Sequence, residues 1–158
     1  LDAAFTYDEV AIVEEAIVGR EIEVAVLGDL HPQASLPGEI VPTREFYDYT
    51  EKYLTDSAKL LIPAPLDEHE VAAVQALALD VFGVLRCSGL ARVDFFYEAN
   101  GRGFLCNEVN TIPGFTPISM YPKLWEASGV AYGTLIDRLI ALAIERHAAK
   151  QRLRTSAF

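Results

Sequence analysis

The sequence predicts an α+β fold, a mixed α/β sandwich in which one largely antiparallel sheet carries helices packed on it. Three observations lead there. Residues 21–28 alternate as a half-buried strand does, with Ile22, Val24 and Val26 on one side and Glu21, Glu23 and Ala25 on the other. Residues 90–110 read as two strands joined through Asn100-Gly101, the composition of a tight hairpin. Residues 67–83 and 132–147 carry the apolar spacing of helices instead.

Taken in order, residues 11–18 (Ala-Ile-Val-Glu-Glu-Ala-Ile-Val) read as a strand ahead of 21–28, and Gly28-Asp29 then turns the chain. Residues 31–42 are polar and punctuated by proline, and 47–53 form a charged aromatic loop. Pro63-Ala64-Pro65 resets the backbone before a helix. Asp67 with Glu70 is a variant of the capping box, Val71, Val74, Leu77 and Val81 supply a buried stripe, and Gly83 ends the helix. After the hairpin come Pro113-Gly114, a loop, and a short helix from Pro122 to Gly129, started by proline and ended by glycine. The last helix, 132–147, presents Ile136, Leu139, Ile140 and Ala143 to the core. Residues 148–158 are basic, lose their periodicity and read as a frayed tail, so the domain is 1–147.

The chain has 158 residues, 51% of them hydrophobic, enough for one domain with a real core. A net charge of -10 argues against nucleic acid as a partner. It admits an anionic nucleotide only if a metal and a few placed cations bridge the two. Cys87 and Cys106 read as buried small hydrophobes in a reducing compartment and not as a disulfide. No charged-then-apolar leader and no apolar run of spanning length occur, which points to a cytoplasmic protein without a membrane partner. The chain opens at Leu1 and its only methionine is Met120, so it reads as the later part of something longer.

The chemistry concentrates in Gly89-Leu-Ala-Arg-Val-Asp-Phe-Phe-Tyr and Leu105-Cys-Asn-Glu-Val-Asn-Thr. Asp94, Glu108 and Asn110 are hard oxygen donors with no His or Cys among them, the set that suits Mg²⁺. Arg92, two residues before Asp94, suggests phosphoryl chemistry. Strand alternation places Arg92, Asp94 and Phe96 on one face and Glu108 with Asn110 on one face. Whether these faces coincide depends on the turn. A two-residue loop pairs Val93 with Glu108 and sends Asp94 to the wrong side; a three-residue loop, Asn100-Gly101-Arg102, pairs Asp94 with Glu108 and Arg92 with Asn110. A metal site therefore predicts the longer turn, with Gly101 or Gly103 left-handed. In this reading Cys106 joins Phe96 among the polar set, opposite an apolar face of Val93, Phe95 and Tyr97. The alternative is a solvent-facing polar strip on an ordinary hairpin, and spacing alone leaves both open.

Five segments together resemble the C-terminal part of the ATP-grasp domain of D-alanine–D-alanine ligases: Val13-Glu-Glu-Ala-Ile-Val-Gly-Arg-Glu, Phe46-Tyr-Asp-Tyr-Thr-Glu-Lys-Tyr, Arg92-Val-Asp-Phe-Phe, Asn107-Glu-Val-Asn-Thr-Ile-Pro-Gly-Phe-Thr and Ser119-Met-Tyr-Pro-Lys-Leu-Trp. The resemblance runs from about residue 7 to about residue 146. It implies ATP as co-substrate and two Mg²⁺ (Mn²⁺ can substitute) held by Asp94, Glu108 and Asn110, with Glu108 bridging. Glu14, Glu15 and Ile17 would lie on the strand whose backbone reads the adenine, and Glu21 would bind the ribose hydroxyls. Arg92 and the Gly114 N–H would stabilise developing negative charge, and Ser119 with the Met120 backbone would clamp the second substrate's carboxylate. Lys52 and Tyr53, on a loop closing over the nucleotide, would approach the γ-phosphate and the substrate end.

The implied reaction joins two D-alanines through an acyl phosphate for peptidoglycan precursor synthesis, and the loop pattern favours the dipeptide over the D-lactate ester. The resemblance also implies that an N-terminal substrate-binding domain and a small ATP-binding subdomain with a glycine-rich phosphate loop belong before Leu1. The chain would then be inactive alone; a homodimer is compatible. Another ATP-grasp carboxylate–amine ligase, or a non-catalytic nucleotide-binding or assembly domain, are the competing readings, and without the resemblance Glu14, Glu15 and Glu21 read as solvated strand charge.

Overall fold

In the computed structural model residues 1–42, 59–116 and 118–153 are described; the loop 46–53, with Lys52 and Tyr53, lies outside them. After a single 3₁₀ turn at Ala4–Thr6 the chain is irregular as far as Gly19. The strand expected at 11–18 is not formed. A strand needs a ladder partner, and both edges of the strand that follows are already paired.

That strand, β1 (Arg20–Gly28), is the spine of the sheet. Along one edge run β2 (Gln33–Ala34) and β3 (Gly38–Val41); along the other runs β5 (Gly89–Glu98). β4 (Lys59–Leu61) pairs with β3 and β6 (Gly103–Asn110) with β5, giving the order β4-β3-β1-β5-β6, every pairing antiparallel. The stretch 31–42, read from the sequence as polar connection, thus holds two strands. Its proline explains the disguise: Pro37 has no N–H to give to a ladder. Ser35 repairs the break, its Oγ accepting from Ala25 N at 3.0 Å and donating to Leu36 O at 2.8 Å, while its own N–H reaches Ala25 O at 2.8 Å. Ser35 is completely buried, as a fully hydrogen-bonded hydroxyl can be.

Helix α1 (Glu68–Val84) covers one face of the sheet. Its capping box forms in both directions: Asp67 Oδ1 accepts from Glu70 N at 2.8 Å, and Glu70 Oε2 accepts from Asp67 N at 2.9 Å. The buried face is Val74, Ala78 and Phe82, set against Ile22, Val24, Val26, Ala91, Val93, Phe95 and Tyr97. The expected stripe is therefore rotated: Val71 and Val81 sit at its flanks and Leu77 is 38% exposed. Gly83 does not end the helix. It stays within the last turn, and Arg86 takes the left-handed conformation (φ 52°) beyond it.

The opposite face carries α2 (Met120–Ala127) and α3 (Tyr132–Gln151). Here Ala25 and Leu27 of β1 pack with Met120, Tyr121, Leu124, Trp125, Val130 and Leu135. β3 approaches α2 so closely that a Cβ on Gly38 would lie 2.7 Å from Leu124 Cδ2, which is why glycine stands there. α2 begins two residues before Pro122, and Gly129 (φ 86°) closes its end as expected. On α3 the face turned inward is Leu135, Leu139 and Leu142; Ile140 is 54% exposed and Ala143 is exposed, so this stripe too is offset. The helix also continues through Gln151, so the tail is not frayed at 148–151. Among the described residues no single helix is long and apolar enough to cross a membrane.

Candidate active site

The hairpin register decides whether there is a site. Asp94 stands opposite Glu108 and Arg92 opposite Asn110, the pairing a metal site required. The route differs from the expected one. The connection is four residues, 99–102, between the paired Glu98 and Gly103, and Gly103 takes the left-handed conformation (φ 76°). Near this turn the register is the one that would have set Asp94 against Asn107. A bulge between the Asp94 and Phe95 pairs then leaves Asn107 as the extra residue and brings Glu108 across from Asp94. The register on the turn side of the bulge puts Cys106 opposite Phe95, so Leu105, not Cys106, faces Phe96. Cys106 is exposed and Cys87 half-buried, both as free thiols; partial desolvation of the sulfur raises the pKa of each, and the charge of Asp94 adds to it at Cys106.

β1 extends this face. Glu23 pairs with Asp94, Ala25 with Arg92 and Glu21 with Phe96, so Glu23, Asp94 and Glu108 form one row across three strands. Arg92 lies among them. Its Nε donates to Asp94 Oδ1 at 2.8 Å and its Nη2 to Asp94 Oδ2 at 2.7 Å, a two-pronged clasp, and Glu23 Oε2 is 3.2 Å from Nε. Asp94 is 9% exposed and Glu23 4%, whereas Glu108 is open to solvent. Burial works to lower the Arg92 pKa, but the Asp94 hydrogen bonds and the charges of Glu23, Asp94 and Glu108 outweigh it and push it up. Three carboxylates against one guanidinium leave two formal negative charges, an electrostatic preference for a divalent cation. Glu23 was not singled out as a site residue from the sequence; the alternation of 21–28 placed it on the side of Glu21, and the β1–β5 pairing brings that side onto this face.

Asn110 Oδ1 accepts from Ile112 N at 3.1 Å, shaping the exit from β6. The chain then passes Gly114, where a Cβ would come within 2.9 Å of Ser119 Oγ, so this loop and the start of α2 are in close contact. Ser119 is the residue before α2 but makes no side-chain cap; its Oγ accepts from Thr116 N at 3.0 Å and lies 2.8 Å from Thr116 Oγ1. The Met120 side chain is buried in the core below. Glu21 is half-buried on the site face. Glu14, Glu15 and Ile17 lie in the irregular segment before β1, where Glu15 accepts two bonds of 3.0 Å from Arg102 at the hairpin tip.

Among the described residues no three His, Cys, Asp or Glu side chains converge into a metal cage. Asp94, Glu108 and Asn110 offer two carboxylates and one carboxamide, all hard oxygens. That incomplete set fits Mg²⁺, which keeps waters and phosphate oxygens among its ligands, better than a metal needing a full protein shell.

Helices on both faces of an antiparallel sheet, with an arginine–carboxylate cluster on its edge hairpin, make an α+β domain of the kind that solved ligases contain. Residues 1–141 match the family described as "D-ala D-ala ligase C-terminus", and the chain belongs to that family. It is 56% identical over 144 residues to D-alanine--D-alanine ligase B of Clostridium tetani, covering 91% of this chain and 40% of the relative. The structure of the D-alanine-D-alanine ligase from Coxiella burnetii superposes with a TM-score of 0.76 at 49% identity, over 88% of this chain and 36% of that one. The Bacillus anthracis D-alanine--D-alanine ligase complexed with ATP gives 0.76 at 27% identity, over 94% of this chain and 47% of that one. The chain thus spans about two fifths of the length of the curated relatives it matches.

Proposed function

We propose that this chain is the nucleotide-handling C-terminal part of a D-alanine–D-alanine ligase, which joins two D-alanines at the expense of ATP to supply a cytoplasmic step of peptidoglycan synthesis. The observation that carries the reading is the coincidence on one sheet face of Arg92, Asp94, Glu108 and Asn110 in a chain of this family. The oxygens of Asp94, Glu108 and Asn110 would hold Mg²⁺, which when bound neutralises phosphate charge. Both oxygens of Asp94 are engaged by Arg92, so a cation bound there would compete with this clasp. Arg92 then has its forked donors available for a phosphoryl oxygen on the same face.

In the first step the carboxylate of one D-alanine attacks the γ-phosphorus and ADP leaves, giving an acyl phosphate. In the second, the amine of the other D-alanine attacks the acyl carbon and phosphate departs. Negative charge develops on oxygen in both, and fixed donors lower that barrier. The exposed Gly114 backbone N–H is offered to the tetrahedral oxyanion. Ser119 Oγ and the N-terminal end of α2 receive the second substrate's carboxylate, where unpaired helix N–H groups favour an anion. Glu14, Glu15 and Ile17 would read the adenine from irregular chain whose N–H and C=O groups are not committed to a ladder, with Glu21 on the ribose. Lys52 and Tyr53 complete the phosphate and substrate ends. An N-terminal domain and a small ATP-binding subdomain supply the rest, so residues 1–147 alone hold half of a catalytic centre.

Product analysis on the intact enzyme with ATP, Mg²⁺ and D-alanine, D-lactate or D-serine tests the assignment. D-alanyl-D-alanine is the expected main product, and a preference for the ester or the mixed dipeptide would move the chain to a neighbouring specificity.

A further inference from the structure

Arg92 is shared between two acids of different reach. Asp94, two residues away on the same strand, holds it by two bonds of 2.8 and 2.7 Å, and Glu23, on the neighbouring strand, stands 3.2 Å from its Nε. Glu23 is the more deeply buried of the two acids, and it lies in the middle of β1, paired on both sides by Gly38 and Asp94. If Asp94 gives its oxygens to a cation, Arg92 loses its clasp in a place where burial disfavours an uncompensated charge.

We propose that Glu23 is a positioning residue for Arg92: it keeps the guanidinium on the active-site face when Asp94 turns to a cation. This role rests on the cation and phosphate reading of the same face. Asp94 and Glu23 thereby divide two duties, one exchanging the arginine for metal, the other retaining it beside the phosphates.

Proton exchange at the Arg92 Nε–H, followed by ¹⁵N NMR on the chain, reads this directly and needs no metal. In Asp94→Ala the Nε–H stays protected at least about tenfold over a free arginine, because Glu23 Oε2, 3.2 Å away in an ion pair, then becomes its acceptor. In Asp94→Ala combined with Glu23→Met the protection is lost while thermal unfolding stays cooperative; Glu23→Ala serves as a second version if Met disturbs the packing. Loss of protection in Asp94→Ala alone overturns the proposal. A Mn²⁺ titration followed by electron paramagnetic resonance adds the functional arm. Glu23→Met weakens Mn²⁺ about fivefold when Arg92 is present, since the arginine then falls wholly to Asp94, and has no effect in an Arg92→Gln background. Equal weakening in both backgrounds would make Glu23 a mere source of charge and refute the positioning role. Absence of Mn²⁺ binding in every variant would remove the cation reading, while the exchange result would still decide what Glu23 does.

Discussion

Arg102, at the hairpin tip, grips two carboxylates at once: Glu98 through Nε and Nη2 at 2.9 and 3.0 Å, and Glu15 through both terminal nitrogens. The Arg102 side-chain and backbone hydrogen bonds pull the Glu98 pKa from 4.5 down to about 2. A lowered folded pKa means that the contribution to stability is complete above about pH 4.5 and fades as pH falls toward 2. Carboxyl NMR titration should therefore find Glu98 still ionised at pH 3, and Arg102→Ala should return it toward the ordinary range; an unchanged titration in the variant would break the link. The candidate site residues are as local in origin. Two-residue periodicity alone placed Arg92 and Asp94 together, and Glu108 with Asn110. What it could not supply was the bulge at Asn107, because Cys106, Asn107 and Glu108 are all exposed and no buried side chain marks the shift in alternation.

Helix α1 shows how far an element can be read and where reading stops. The Asp67–Glu70 box is a local exchange of hydrogen bonds, so four residues of sequence suffice to see it. Asp67→Ala should cost about 1 kcal/mol in urea unfolding. The buried face is different, since tertiary packing chooses among overlapping apolar stripes. Phe82, 1% exposed, should cost about 3–5 kcal/mol on truncation to alanine, whereas Leu77, at the rim, should cost under about 1 kcal/mol. Comparable losses at both positions would restore the stripe expected from the sequence. The short strands β2, β3 and β4 were invisible for a related reason: they exist through non-local pairing and through Ser35 standing in for ladder donors. Conversely, 11–18 has strand composition without a partner, and composition alone does not make a ladder.

For the whole molecule, two cores on opposite faces hold one sheet, and the candidate site lies on the β1, β5 and β6 part of it. Family membership was legible because five short motifs occur in one order along the chain, which generic packing does not dictate. The chain spans about two fifths of its relatives, and we expect it to bind Mg²⁺-nucleotide weakly and to release no phosphate from ATP with D-alanine above a blank. Turnover by the isolated chain would refute the division of the catalytic centre. The most direct test of the central claim is calorimetry of ATP binding to the intact enzyme with and without Mg²⁺, beside Asp94→Asn and Glu108→Gln. Uptake should depend on Mg²⁺ and weaken by about tenfold or more in each variant. Binding that ignores Mg²⁺ and both substitutions would contradict it.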